Sequence, residues 1–253
     1  MAVYAVSDLH GRLDVFMRGL EKIEFGDADR LYVIGDAIDR GPDGIGILQY
    51  IRSHDNMDLI IGNHEFMMLN SVDPGGRKKC PGRDADLWLY YNGGTKTYEQ
   101  YERLPLMTKF ELLFWLNSRL LIKTLIVNDT AFCLTHSFYI PDCENRAYNE
   151  MNYDTIWEIV WKSIYRNDRE THCTDIYELY DYKFITGHVP VQRIYRDMDA
   201  PISSWARGLK PFVTGNLINI DGGCAGGYNE VYDTGAIFLR LDDMQSFPVL
   251  ITS

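Results

Sequence analysis

Leu31-Tyr32-Val33-Ile34-Gly35-Asp36-Ala37-Ile38-Asp39-Arg40-Gly41 is the stretch that decides the fold. Four apolar residues read as a short buried strand, which breaks abruptly into glycine, two carboxylates and an arginine. The same pattern stands on either side. Upstream, Ala2–Val6 runs into Asp8-Leu9-His10-Gly11; downstream, Leu59–Ile61 runs into Gly62-Asn63-His64-Glu65. Between these strands lie two segments of helical period, Leu13, Phe16, Met17, Leu20 and Ile23, then Ile45, Leu48 and Ile51. A β-α-β-α-β run of this kind predicts a parallel sheet with right-handed crossovers.

The rest of the chain is less regular. Ser71–Asp86 is rich in proline and glycine and reads as a loop. Trp88–Tyr101 holds Asn92-Gly93-Gly94 and then a short helix, and Phe110–Leu116 is a further helix. Leu120–Val127 and Thr130–Leu134 read as strands joined by the tight-turn pair Asn128-Asp129, the second ending at Thr135-His136. Residues 138–182 are polar and aromatic and read as an insert or lid, with one helix at Thr155–Ile164. Phe184-Ile185 lead into Thr186-Gly187-His188, and Leu217–Ile220 with Ala236–Leu241 are expected to close a second sheet. With no repeat and no linker in sight, residues 1–253 are expected to form one domain.

Composition narrows the function. The chain is 46% hydrophobic, as a globular domain should be, and its formal net charge is −11. So acidic a protein does not attract nucleic acid through its overall field. An anionic substrate would need positive charge placed locally. The five cysteines, Cys80, Cys133, Cys143, Cys173 and Cys224, are odd in number and scattered, which argues against a disulfide framework or a thiolate zinc site. Nothing after Met1 reads as a leader and no apolar run is long enough for a bilayer. The expectation is a soluble cytoplasmic protein without membrane or nucleic-acid partners.

Five strands thus end in Asp, His, Asn or Gly, where open α/β sheets bind ligands. Carboxylates, an amide and imidazoles are more ligands than one ion needs, and they suit Mn, Fe or Zn better than copper. A two-metal site follows, with Asp36 as the shared carboxylate.

DLHG, GDAIDRG and GNHE resemble the signature blocks of the calcineurin-like metallophosphoesterases, in the phosphoprotein phosphatase branch. His136 and His188 resemble the fourth and fifth blocks. Trp88–Tyr98 resembles a W-x-x-NGG stretch of bacterial and phage Ser/Thr protein phosphatases and of their dinucleoside tetraphosphatase relatives. The resemblance implies an α/β (α+β) fold, a four-layer αββα sandwich of two central mixed β-sheets flanked by helices. It implies that Asp8, His10 and Asp36 hold a first metal and Asp36, Asn63, His136 and His188 a second, Mn before Fe or Zn. It makes His64 the general acid, Asp39 its orienting carboxylate and Arg40 the phosphate clamp. Relatives carry a second clamping arginine in a W-x-R pattern, but Trp157-Glu158-Ile159 puts Ile159 there, leaving Arg146 or Arg166 to substitute.

Blander readings compete. Each Asx residue alone could be a helix cap or turn, and His54 and His172 are expected to be ordinary surface residues. Trp88, Tyr90 and Tyr91 read as packing under a loop, Arg77-Lys78-Lys79 as a solvated loop, and the aromatics of 138–182 as a satellite core or a recognition groove. Asp221-Gly222-Gly223 either closes the site or makes a turn. The function expected is phosphomonoester hydrolysis by metal-activated hydroxide, as a Ser/Thr protein phosphatase acting on a phosphorylated protein or a small phosphoester. The alternative is hydrolysis of dinucleoside polyphosphates. A non-catalytic binding module is a distant third.

Overall fold

A computed structural model describes residues 1–73, 75, 83–165 and 173–252. The readings attached to Arg77-Lys78-Lys79, Cys80, Arg166 and His172 lie outside the described residues.

The decisive stretch folds as expected. β1 (Val3–Val6), β2 (Arg30–Ile34) and β3 (Met57–Ile60) are parallel neighbours, linked by α1 (Leu13–Lys22) and α2 (Gly44–Arg52). Helix α1 buries Val15, Phe16, Gly19 and Leu20 on one face, and Asp14 and Lys22 stand at the ends that the helix dipole favours. Asp43 caps α2 by accepting a hydrogen bond from Gly46 N.

One expectation needs correction. The strand expected at Ala236–Leu241 forms as β9 (Gly235–Arg240) but does not join the second sheet. It pairs antiparallel with β1 and is flanked by β10 (Ser246–Leu250), so the first sheet runs β10-β9-β1-β2-β3. An apolar run identifies a strand, not its partner; β9 is apolar because it is buried between two strands. Pro248 sits in β10, at the sheet edge, where a missing N–H is tolerated.

The second sheet runs β4-β5-β6-β8-β7, from β4 (Ile122–Val127), β5 (Thr130–Thr135), β6 (Lys183–Thr186), β7 (Phe212–Thr214) and β8 (Leu217–Asn219). β5, β6 and β8 are parallel, with β4 and β7 antiparallel at the edges. Asn128 and Asp129, which join β4 to β5, both have positive φ, as the favoured two-residue hairpin turn demands.

Helices flank both sheets. α3 (Asn63–Ser71) follows β3 directly, then come α4 (Arg83–Asp86), a π-helical turn at Leu87–Tyr91, α5 (Thr95–Glu102) and α6 (Leu106–Asn117). α7 spans Tyr153–Trp161, capped by Asn152 through Thr155 N; it starts and stops earlier than its apolar pattern suggested. α8 (Val191–Asp197) follows β6. α1 packs on β9 and β10, and α2 on β3. The result is an α+β fold of two mixed five-stranded sheets flanked by helices. One core cluster includes both sheets and, from residues 138–182, Tyr139, Ile156, Ile159, Val160 and Tyr177.

Candidate metal centre

The carboxyl ends of β1, β2 and β3 and of β5 and β6 are stitched together. Asp8 N donates to Gly35 O (3.1 Å) and His10 N to Asp36 O (2.8 Å), which ties the first two blocks. Gly187 N donates to His136 O (3.0 Å), and His188 N reaches Asp8 Oδ2 (3.0 Å), which ties one sheet to the other. This convergence forces unusual backbone. Asp8, His10, Asp36, Asp39, Arg40 and His188 all have φ between 45° and 73°, a left-handed region that non-glycine residues adopt uncommonly, and here six of them gather at one place. Two glycines allow the close approach. A Cβ on Gly62 would stand 2.4 Å from Asp36 Oδ1, and one on Gly187 2.1 Å from Asp8 Oδ2.

Glu65 holds the second block against the third. Its fully buried carboxylate accepts from Asp36 N (2.9 Å), Ala37 N (2.8 Å) and Gly62 N (3.0 Å). The sequence reading gave it no role, although it completes the GNHE block.

Asp36 lies between two groups of donors. Its Oδ2 is 3.7 Å from His10 Nε2 and 3.7 Å from His64 Nε2, while its Oδ1 is 3.4 Å from His136 Nε2. Among the described residues, two clusters could hold an ion: His10, Asp36 and His64, and Asp36, His136 and His188, each within 4.8 Å. Asp8 adjoins the first, its Oδ1 3.9 Å from His10 Nε2 and buried without a hydrogen-bond partner. Asn63 adjoins the second, its Oδ1 3.0 Å from both His136 Nε2 and His188 Nδ1.

This arrangement fits cations. His136 Nδ1 faces the carbonyl of Ile34 (3.1 Å) and His10 Nδ1 that of Ile38 (3.3 Å). If Nδ1 carries the proton and donates it, each Nε2 turns a lone pair towards carboxylate and amide oxygens. At the second cluster Asp36 Oδ1, Asn63 Oδ1 and His136 Nε2 are then acceptors that converge with no proton between them, which a divalent ion relieves; at the first, Arg40 Nη1 stands 3.0 Å from His10 Nε2. The same demand shows in the titration behaviour. Burial raises Asp8 and Asp36 well above the usual carboxylate range and lowers His10 and His136 well below the usual imidazole range. His188 falls to about 4, again chiefly by burial. Neutral imidazoles are ready ligands, and buried carboxylates need a positive partner to ionise.

His64 and Asp39 form a separate pair. His64 Nδ1 is 2.6 Å from Asp39 Oδ2, and both side chains are fully buried. Trp88 Nε1 donates to the same oxygen (2.7 Å). Trp88 is therefore more than packing under a loop, while Tyr90 and Tyr91 are exposed. Burial raises Asp39 to about 7 and lowers His64. His64 Nε2 lines the central cavity without a hydrogen-bond partner. Arg40 N donates to Gly93 O (3.1 Å), and Arg40 Nη1 lies 3.0 Å from His10 Nε2, so the Asn-Gly-Gly stretch carries the arginine.

The cavity, about 90 Å³, is lined by His10, Asp36, Arg40, Asn63, His64 and His188 among others. Asp221 also lines it and is raised to about 7 by burial, and Gly223 N donates to Asp221 Oδ1 (2.8 Å), so the Asp-Gly-Gly stretch both makes a turn and brings its carboxylate to the site. Ile159 is fully buried, and Arg146 is exposed and donates to Glu150 O. Arg40 is the one guanidinium among the described residues that line the cavity.

Comparisons with known proteins bear on the family and the fold. A family model described as calcineurin-like phosphoesterase matches residues 1–205. A symmetrical bis(5'-nucleosyl)-tetraphosphatase of Dechloromonas aromatica is 32% identical over 143 residues, 56% of this chain and 45% of that protein. One of Cellvibrio japonicus is 38% identical over 71 residues, 27% of this chain and 26% of that protein. The chain thus spans less than half the length of the curated relatives it matches. Among solved structures, a metallophosphoesterase from Sphaerobacter thermophilus aligns over 100% of this chain and 89% of its own, at 16% identity and TM-score 0.55. A cold-active protein-tyrosine phosphatase of a psychrophilic Shewanella aligns over 98% and 80%, at 17% identity and TM-score 0.52. At such identities these neighbours show the fold.

Proposed function

The chain belongs to the calcineurin-like phosphoesterases, and on that premise we propose that it hydrolyses phosphate monoesters of alcohols, as a Ser/Thr protein phosphatase, with two divalent ions. Asp8, His10 and Asp36 would hold one ion and Asp36, Asn63, His136 and His188 the other. These nitrogen and oxygen donors suit Mn first, then Fe or Zn. When bound, such ions supply Lewis acidity, lowering the pKa of water towards neutrality and offsetting charge on phosphoryl oxygens. Residues 1–253 are read as one domain, in keeping with the continuous core.

The observation that carries the ester reading is the buried His64–Asp39 pair. An alkoxide is a poor leaving group and needs a proton as the P–O bond breaks. His64 Nε2, unpartnered at the cavity, would deliver it to the leaving oxygen. Asp39 holds Nδ1 and fixes the ring's orientation, while Trp88 fixes Asp39. Arg40, at the cavity, would bind the phosphoryl oxygens as a charged donor.

A second reading has its own support. The curated relatives are symmetrical dinucleoside tetraphosphatases, and the comparisons weigh towards that substrate. An anhydride leaves as a stabilised phosphate anion and asks little of a general acid. A Mn-dependent assay of a phosphothreonine peptide beside diadenosine tetraphosphate separates the two. The ester reading expects the peptide to be turned over faster, with His64→Asn abolishing that advantage. Faster cleavage of the dinucleotide, unaffected by His64→Asn, supports the second reading.

A further inference from the structure

Helix α7 carries Tyr153, Trp157 and Trp161 at four-residue spacing, a single aromatic row along one side. Trp161 packs against the core and the Tyr153 ring lies 5.0 Å from that of buried Phe66, yet Tyr153 and Trp157 stay 44% and 48% exposed while Ile156, Ile159 and Val160 are buried, so core packing accounts for only part of the row. The row forms one wall of a cavity of about 400 Å³, whose other lining residues are Leu87, Asp84 and Asp154. Trp161 lines the phosphoester cavity as well, its ring edge-on to His188 with centroids 6.2 Å apart. The two cavities therefore share a wall. Trp161 Nε1 is buried there without a hydrogen-bond partner. Tyr153 donates its hydroxyl to Asp84 Oδ1 (3.1 Å), which holds that carboxylate on the groove.

We propose that this groove binds a basic side chain, Arg or Lys, a few residues from the phosphorylated residue of a peptide substrate; the inference rests on the ester reading above and names its substrate more closely. Charge complementarity selects this occupant. Two carboxylates line the groove, and no cationic side chain does among the described residues. A cation gains from the faces of Trp157 and Trp161 as well as from the two Asp residues. Arginine gains most, because its planar guanidinium stacks on indole and still donates in its plane. A nucleobase would also stack on the row, but it would draw a polyphosphate past Asp84 and Asp154 on a chain whose net charge is already −11. The hydrophobic body of the groove accepts the methylene stem of a long basic side chain.

The test uses phosphothreonine peptides that differ at one position within three residues of the phosphate, carrying Arg, Leu or Glu there, with p-nitrophenyl phosphate as a small control. They are given to the Mn-loaded wild type, to Asp84→Asn/Asp154→Asn and to Trp157→Ala. Expected for the wild type is a kcat/KM order Arg over Leu over Glu, with about tenfold between Arg and Leu, expressed in KM. Both variants should flatten that order and leave p-nitrophenyl phosphate turnover unchanged, which also shows that they fold. A wild type indifferent to the substituent, or an order that survives both variants, overturns the groove assignment and leaves the ester reading standing. No turnover of any phosphopeptide beside intact turnover of the small ester overturns the protein-substrate reading and the groove with it. Selective slowing of diadenosine tetraphosphate in Trp157→Ala would put a nucleobase in the groove and overturn the proposal.

Discussion

His64 Nδ1 lies 2.6 Å from Asp39 Oδ2, with neither side chain accessible to solvent. A contact so short between buried titratable groups is favourable only if a proton lies between them, so the ring is locked in one orientation with Nε2 turned to the cavity. The pair shares no atom with the His136 cluster, so its loss should leave ion binding there intact.

His64→Asn is therefore expected to keep the ion at Asp36, Asn63, His136 and His188 and to lose about 10²- to 10⁴-fold in kcat on a phosphopeptide, the usual contribution of a general acid. The loss on diadenosine tetraphosphate should be far smaller. Metal analysis and steady-state kinetics on the two substrates check this; equal losses on both would remove the proton-donor role.

Trp88→Phe keeps most of the buried ring volume but removes the N–H that Asp39 Oδ2 accepts. Freed from that bond, Asp39 orients His64 less firmly, and kcat should fall by about tenfold or more, as for other outer-shell partners. KM and metal content should not move. A rise in KM with kcat intact would mean that Trp88 serves substrate binding instead.

Glu65→Gln replaces an oxygen that accepts backbone N–H groups with an amide nitrogen that cannot. At least one buried donor among Asp36 N, Ala37 N and Gly62 N is left unpaired, which costs about 1–3 kcal/mol. Denaturant unfolding of the metal-free chain should show a stability loss of that order. An unchanged midpoint would mean that the second block is held by other contacts.

Without metal, stability should depend on pH in a defined direction. Asp39, Glu65 and Asp221 each have a folded pKa raised by burial to about 7, above the unfolded carboxylate value of roughly 4. For an acid raised in the fold, the stabilisation is present at low pH and is lost as pH climbs through the folded value. His10, His64 and His136 are lowered, so they oppose folding once pH drops below their unfolded value of about 6.5. In chelator, unfolding free energy should thus rise as pH falls from 8 to about 6.5; below that the carboxylates go on stabilising down to about 4 while the imidazoles oppose them, so the slope should flatten. Mn should flatten the alkaline arm. Monotonic rise of stability from pH 6.5 to 8 in chelator would contradict this balance.

The sequence exposed what is local. Each site block is a few residues long and follows its own strand, so DLHG, GDAIDRG, GNHE, His136 and His188 could be read without knowing the packing. Strand partnership is not local. β9 pairs with β1 across more than two hundred residues, and nothing in Gly235–Arg240 states which sheet it enters. Residues that work through others were equally hidden. Trp88 looked like any buried aromatic until its N–H met Asp39, and for Asp221 the sequence left site and turn as open alternatives. Ile159 stands at a position where an arginine was expected, and its complete burial shows that this side of α7 serves the core.

The two-ion site depends on the sharing of Asp36 between both ions. That sharing is tested most directly by anomalous diffraction from Mn-soaked crystals of the wild type and of Asp36→Asn. Two wild-type peaks are expected. One should lie among Asp8, His10 and Asp36 Oδ2, and the other among Asp36 Oδ1, Asn63, His136 and His188, with at least one lost in the variant. A single peak, or two full peaks that persist in Asp36→Asn, would contradict it.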